Sequence, residues 1–304
     1  MSEDNAIAEG FRCGSVALLG KPNVGKSTLL NQIIGSRIAI VTPKPQTTRH
    51  RILGIYTDQL RQVVFIDTPG IHSSGKRMNR NMVRVAHGAA EEADVLALLH
   101  DMTKPLDRET RNLSEQLANR HSDRPRIHVL NKIDKISHAE LLPRIAALHE
   151  LDPSADAFVP LSARKGIQVD AFVATLGGLL PERPPIYDPE WFTDQSTRTL
   201  AAEYVREQLF LSMQQEIPFQ TAVVVESCHE HGNAIDIAAT ILVGSRSHKP
   251  MVIGKQGATL KHIGIRAREG LQELLGRRVD LRLFVKVQAN WFEQPAMLAE
   301  LGLG

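Results

Sequence analysis

Gly20-Lys21-Pro22-Asn23-Val24-Gly25-Lys26-Ser27 stands between a nearly continuous apolar run at 15–19 and a helical pattern over Lys26–Ile34. Strand, glycine-rich loop and helix in that order are the setting in which G-x-x-x-x-G-K-S becomes a phosphate cradle. The glycines let the backbone close around an anion, and the helix start turns free N–H groups toward it. Lys26 adds charge at the distal phosphates, and the Ser27 hydroxyl is a ligand for Mg²⁺. A bare match arises in about one chain of this length in a hundred, so the strand–helix context decides against a mere glycine turn.

Outward from the loop the same grammar repeats. Apolar runs at 62–66, 95–99, 127–130 and 158–161 read as strands buried on both faces. Helical patterns follow at 107–119, 139–149 and 167–180, and an extra strand near Ile52–Thr57 turns back into 62–66 as a hairpin. The order predicts a doubly wound α/β architecture with a mixed sheet. It stops at Pro181-Glu182-Arg183-Pro184-Pro185, followed by Pro189, a density that favours an extended, stiff connector. Beyond it the pattern becomes α-β-β-α-β: a helix over 193–213, strands over 221–226 and 235–243, a helix over Ala258–Leu275 and a strand over 279–287. The expected division is an N-terminal tail over 1–13, an α/β domain over 14–180, a linker over 181–193, a small α+β domain over 194–294 and a C-terminal tail over 295–304.

The totals fit two globular domains: 304 residues, 42% hydrophobic and 23% charged. No run of about 18 apolar residues could span a bilayer, and the acidic, polar start is unlike a secretory leader. Cys13 and Cys228 lie far apart, which favours a reducing, cytoplasmic setting. The twelve histidines, His72 and His100 among them, show no metal-ligand spacing, and Trp191 and Trp291 read as packing anchors. The net charge of +2 hides an asymmetry. Residues 245–286 hold ten basic and three acidic side chains, a net +7, leaving −5 for the remainder. A polyanion is the natural partner of such a segment.

Three more motifs follow the loop in order, each ending an expected strand where such sheets bind ligands. Asp67-Thr68-Pro69-Gly70 places a carboxylate for Mg²⁺ and the Gly70 N–H for a γ-phosphate. Asn131-Lys132-Ile133-Asp134 offers guanine a carboxylate whose two oxygens accept the N1–H and 2-amino hydrogens, a match adenine lacks. Ser162-Ala163-Arg164 supports the base. The expected ligand is therefore GTP or GDP. Between loop and Asp67, Gln46-Thr47-Thr48-Arg49 lies in a segment that a γ-phosphate can order; Thr48 is favoured over Thr47 as its Mg²⁺ ligand. Ile71 occupies the position where many small GTPases hold a water-orienting glutamine. Asn23 then becomes the candidate ligand of a K⁺ ion that supplies the missing positive charge. The catalytic set is Asn23, Lys26, Thr48 and Gly70; Gly20–Ser27, Asp67–Ile71, Asn131–Asp134, Ser162 and Ala163 hold nucleotide; Ser27, Thr48 and Asp67 hold the metal.

Gly254-Lys255-Gln256-Gly257 is a G-x-x-G before a helix, inside the basic segment. Such a loop admits a nucleic-acid backbone and clamps about four nucleotides. Lys255 would meet phosphate, Ile253 and Ile265 would offer bases an apolar floor, and the RNA-binding set is Ile253, Gly254–Gly257 and Lys261.

Assembled, the motifs Gly20–Ser27, Gln46-Thr47-Thr48-Arg49-His50-Arg51, Asp67–Gly70, Asn131–Asp134, Ser162-Ala163 and 252–257 resemble the Era family, bacterial GTPases with a C-terminal KH domain. The resemblance spans nearly the whole chain after Cys13 and implies a type II KH fold. It implies slow GTP hydrolysis and a switch that binds the 3′ end of small-subunit ribosomal RNA and assists small-subunit assembly. It also implies peripheral association with the inner membrane. Related GTPases use the loop asparagine for K⁺ and share a hydrophobic residue at the place of Ile71. Gln256 stands where many relatives are basic. Two other classes compete: a GTPase tied to RNA modification, and an RNA-binding protein whose nucleotide site does not hydrolyse.

Overall fold

The computed structural model describes residues 10–44, 47–71, 77–301 and 303, with only the backbone at 77–80 and 300. They form two compact units. One holds 10–36, 51–71 and 83–194, the other 37–44, 47–50, 77–82, 195–301 and 303.

The first unit is built on strands β1 (Arg12–Leu19), β2 (Ile52–Thr57), β3 (Arg61–Asp67), β4 (Val95–Asp101), β5 (Arg126–Asn131) and β6 (Ala157–Pro160). Their order is β2-β3-β1-β4-β5-β6, with β2 antiparallel to β3 and every other pair parallel. Parallel pairing needs helical crossovers, supplied by α1 (Lys26–Ile34), α2 (Arg77–Glu92), α3 (Arg108–Arg120), α4 (His138–Leu151) and α5 (Val169–Leu179). α4 starts at a capping box in which Ser137 and Glu140 satisfy each other's backbone N–H. Helix α2 was absent from the sequence expectation. Its buried residues are Met82, Ala86, Ala89 and Ala90, a narrow face on a helix that is polar overall and rich in arginine and asparagine.

The 181–193 connector belongs to this unit. Cys13 N–H donates to Pro181 O (3.1 Å) and Ile55 N–H to Phe192 O (2.9 Å). The Gln62 side chain accepts from Ile186 and Tyr187 N–H and donates to Tyr187 O. Prolines kept the segment extended, and an extended segment can satisfy its remaining amides on a sheet edge. Trp191 is 53% exposed, so it does not anchor a core as expected.

The second unit contains α6 (Thr197–Ser212), β7 (Thr221–His231), β8 (Ala234–Val243), α7 (His248–Ile253), α8 (Ala258–Leu275), β9 (Arg278–Val287) and α9 (Pro295–Glu300). The sheet runs β7-β8-β9, antiparallel then parallel. One face packs on α6 and α8 through Leu200, Tyr204, Leu209, Ile237, Ile241, Ile263 and Leu271. The other is partly covered by Trp291, which is fully buried with Ala222, Leu242, Leu298 and Leu303 and donates its indole N–H to Gln220 O (2.9 Å). The expected C-terminal tail is therefore corrected: 295–300 is helical, because the leucines beyond Trp291 bury its ring.

A second correction concerns 37–50, expected within the α/β domain. Glu207 on α6, 1% exposed, receives Arg37 Nη2 (2.6 Å) and Val41 N–H (3.1 Å), and Tyr204 Oη donates to Arg37 O (2.8 Å). The Lys44 ammonium reaches the Phe210 and Met213 carbonyls at the C-terminal end of α6, where the helix dipole favours a cation. Arg49, 2% exposed, donates to the carbonyls of Thr221 (2.8 Å), Pro218 (3.2 Å) and Phe219 (3.2 Å) and lies over the rings of Phe210 and Trp291. A buried guanidinium needs such acceptors, and the turn before β7 provides three together.

Candidate functional site

Nucleotide-site candidates converge at the C-terminal ends of β1, β3 and β5. Gly20 (φ +136°) and Gly25 (φ +108°) take left-handed conformations; a Cβ on Gly25 would stand 2.2 Å from Asn131 Nδ2. Between them Asn23 also has positive φ (+62°), a conformation asparagine tolerates. Lys26 is buried, and its ammonium curls back onto Gly20 O (3.0 Å) and Lys21 O (3.1 Å). Burial lowers its pKa to about 8, against the pull of Asp67. Ser27 Oγ donates to Asp67 Oδ2 at 2.5 Å. Asp67 Oδ1 is buried with no hydrogen-bond partner, and burial raises this carboxyl to about 6 despite Lys26 and Ser27. Thr68 Oγ1 fixes the next turn on Leu18 O (2.8 Å), and Ile71 N–H donates to Gly20 O (3.1 Å). Gly70 lies against Pro22, with room for no Cβ: one would stand 2.6 Å from Pro22 N.

The base-reading candidates interlock with the loop. Asn131 Nδ2 donates to Val24 O (2.8 Å) and its Oδ1 accepts from Ala163 N–H (3.0 Å), so one side chain ties three motifs together. Lys132, itself at φ +69°, donates to Asn23 O (2.7 Å) and Asp101 Oδ2 (2.6 Å). Ser162 Oγ donates to Asp134 Oδ1 (2.6 Å), and Ile133 N–H to Leu161 O (3.3 Å). Asp101 was missed by sequence reasoning. So were Asp107 and Glu109, which clamp Lys21 at 2.6 and 2.7 Å. Nothing in spacing marks these acids; Asp101 ends strand β4 and Asp107 and Glu109 lie at the start of α3, and those positions were the available signal.

Thr47 and Thr48 belong to the second unit. Thr47 Oγ1 is 2.7 Å from Thr42 Oγ1 and donates to Lys44 O (2.7 Å). Gln46 and His72 lie outside the described residues. His100, read as structural, is buried: its Nε2 meets His128 Nδ1 at 2.9 Å, and burial lowers its pKa to about 3.

In the second unit, Gly254 (φ +76°, ψ 176°) ends α7, and a Cβ there would stand 2.1 Å from Thr259 Oγ1. Gly257 (φ +78°) faces open space, while Lys255, Gln256 and Lys261 are exposed. Ile253 is half-buried at the end of α7. Beside this loop lies an open groove of about 430 Å³ lined by Gly257, Lys261, Gly264, Ile265, Arg268, Leu281 and Leu283. It has an apolar floor between cations. Sequence reasoning found Ile265 but not Gly264, whose lack of a side chain widens the groove, nor Arg268 and the β9 leucines.

A family model described as a 50S ribosome-binding GTPase matches residues 15–132, and a KH domain model matches 216–292. GTPase Era of Geotalea uraniireducens (strain Rf4) is 45% identical, covering 96% of this chain and 98% of its own. The chain belongs to the Era family of GTPases. Era of Syntrophus aciditrophicus (strain SB) is 42% identical over 96% of this chain and 95% of its own. A solved structure of an Aquifex aeolicus Era variant bound to GDP·AlF4⁻ is 38% identical, with TM-score 0.92 over 97% of this chain and all of that one. A structure of Era with MgGDPNP and nucleotides 1506–1542 of 16S ribosomal RNA matches at the same identity and TM-score, over 97% of this chain and 99% of that one. As an Era-family member the chain binds and hydrolyses GTP, and its C-terminal part is a KH RNA-binding domain. No helix among the described residues is long and apolar enough to cross a membrane.

Proposed function

We propose that this GTPase is a switch that binds the 3′ end of small-subunit ribosomal RNA and assists assembly of the small subunit. The observation that carries the reading is one chain holding both a guanine-type pocket and a G-x-x-G groove. The matching Era structure with MgGDPNP and a 16S fragment supports it. In that reading the Gly20–Ser27 amides and Lys26 hold the phosphates, Asp134 reads guanine, and Asn131 and Ala163 brace the base loop. Mg²⁺ would be held by Ser27 and Asp67, a fit supported by the unpartnered buried Asp67 Oδ1, and would supply positive charge at the phosphates. Thr48 would be the hydroxyl added in the GTP state. Gly70 N–H would meet the γ-phosphate. Ile71 brings no polar group to an attacking water, and K⁺ held by Asn23 would supply part of the missing charge. Ile253, the Gly254–Gly257 loop and Lys261 would clamp the RNA backbone and bases. Association with the cytoplasmic face of the inner membrane remains a family expectation, tested by flotation with anionic vesicles.

Single-turnover GTP cleavage with and without a 16S 3′-end RNA tests the switch. Acceleration by RNA, together with different RNA affinities in GDP and GTP-analogue states, is the expected result. Equal RNA affinity in both states would refute the coupling, and absent cleavage would favour a non-hydrolysing RNA binder. Replacing K⁺ by Na⁺ should slow turnover; an unchanged rate removes the cation from the account.

A further inference from the structure

Thr199, Ala202, Glu203 and Arg206 stand at i, i+3, i+4 and i+7 on α6 and share one of its faces. They form a wall of an open cavity of about 380 Å³ within the second unit. Arg49, His50 and Arg198 also line it, and Val223, Val225, Leu301 and Leu303 give it apolar sides. Charge is out of balance here. Arg206 and Glu203 are both buried and form a two-pronged ion pair through Nε (2.9 Å) and Nη2 of the arginine. Arg49 is equally buried but donates only to carbonyls, so two enclosed guanidiniums share one carboxylate. Both lie against the Phe210 ring, with Cζ 5.6 and 5.5 Å from its centroid. Arg206 Nη1 and Arg49 Nε are buried with no hydrogen-bond partner. Burial, and after it the charge of Arg206, pushes Arg49 down to about 9, which still leaves it cationic at neutral pH. Buried cations with unused N–H groups call for a counter-ion. Arg198, exposed in the first turn of α6, adds a third cation where the helix dipole also favours negative charge.

We propose that this cavity is a binding site for a phosphate monoester with an apolar body. The phosphate is set against the guanidiniums of Arg49, Arg198 and Arg206, and the body against Val223, Val225, Leu301 and Leu303. Three guanidiniums face one carboxylate, and a phosphate monoester of about −2 balances that excess more fully than a carboxylate ligand does. Planar guanidiniums also match the geometry of an oxyanion. The volume lies within the range of small-molecule sites, about 300–1,000 Å³. Its apolar sides disfavour a bare inorganic ion, which would lose hydration there for nothing in return. A nucleic-acid strand is disfavoured because two of the three guanidiniums are enclosed and only Arg198 is exposed to a polymer backbone. A soluble ester and a lipid headgroup share the required chemistry.

The test titrates phenyl phosphate into the full chain by calorimetry, with Mg²⁺ and GDP saturating so that the nucleotide site is filled. Phenyl phosphate should bind at one site, about tenfold tighter than benzoate or inorganic phosphate. Arg198→Ala should weaken it about tenfold. Arg206→Met alone would strand Glu203, so Glu203→Gln is combined with it; the pair should abolish binding and leave GDP affinity unchanged. If that double variant fails to fold, Arg198→Ala, at an exposed position, still decides. Vesicles of phosphatidylcholine with and without phosphatidic acid separate the two sources. Flotation that needs both phosphatidic acid and Arg198 assigns the phosphate to a lipid; no flotation beside intact calorimetric binding assigns it to a soluble ester. Failure of the native chain to bind either probe overturns the proposal. So does phenyl phosphate binding that Arg198→Ala leaves unchanged, benzoate binding as tightly as phenyl phosphate, or displacement of phenyl phosphate by a 16S 3′-end RNA.

Discussion

Lys132 Nζ donates a 2.7 Å hydrogen bond to the carbonyl oxygen of Asn23, joining the base-reading loop to the phosphate loop at its non-glycine residue of positive φ. The same ammonium is neutralised by Asp101 at 2.6 Å. Lys132→Ala leaves Asn23 O and Asp101 without this partner and loosens the loop in every nucleotide state. GTP and GDP affinities should fall alike, by about tenfold, with single-turnover cleavage of bound GTP little changed. Titration with fluorescent nucleotides checks this; a loss confined to GTP would contradict it.

Asp134→Asn exchanges a carboxylate acceptor for an amide that donates as well as accepts. Guanine then faces a donor with its own donors, while xanthine offers a carbonyl to meet it. GTP affinity should drop by roughly 10²-fold and xanthosine triphosphate should become the better ligand. Competition binding of the two triphosphates decides the matter.

Asp67 titrates near 6 in the folded chain, above its ordinary 3.8, because burial penalises its charge. The folded state thus holds the proton more tightly than the unfolded state. Stability from this group is greatest at low pH and declines as pH rises from about 4 through about 6. Asp67→Asn should therefore melt higher than the native chain at pH 7.5 without nucleotide, with the gap closing toward pH 4. Magnesium binding runs the other way, since protons compete for the carboxylate, and Mg²⁺-dependent GTP affinity should weaken below about pH 6. Calorimetry across pH measures both.

The two glycines of the RNA loop should fail differently. Gly254→Ala drives a Cβ to within 2.1 Å of Thr259 Oγ1, so both melting temperature and RNA binding should fall. Gly257→Ala meets open space and carries only the strain of φ +78°, about 1 kcal/mol. Its RNA affinity should nevertheless drop, because the new methyl stands where a backbone would approach.

Arg49→Ala strips three buried carbonyls of their donor and should destabilise the chain by about 3 kcal/mol. Arg49→Lys should recover little of this, since a point ammonium cannot reproduce the planar fork. A thermal melt reads the difference.

Much of this molecule is legible in its sequence. Lys26–Ile34 and Ala258–Leu275 form the helices expected over those residues, because glycines mark their starts and apolar periodicity carries them. The interlock of Asn131 with Val24 and Ala163 follows from motifs that spacing alone had placed at strand ends. What stayed hidden was non-local. Helix α2 buries three alanines and a methionine on a helix that is otherwise polar, so its composition reads as surface loop. Asp101 matters through a lysine 31 residues away. The packing of 37–50 depends on Glu207, whose place on α6 reads as an ordinary solvated acid until the fold buries it.

That last segment limits how the protein can be dissected. A fragment ending in the proline stretch would keep 37–50 but lose Glu207, the α6 carbonyls and the turn that receives Arg49. Its buried Arg49 and its Lys44 would be left in water without their acceptors. An excised nucleotide domain is accordingly a different protein from the one inside the chain. Hydrolysis rates measured on it would describe a nucleotide site whose 37–50 segment had lost its packing.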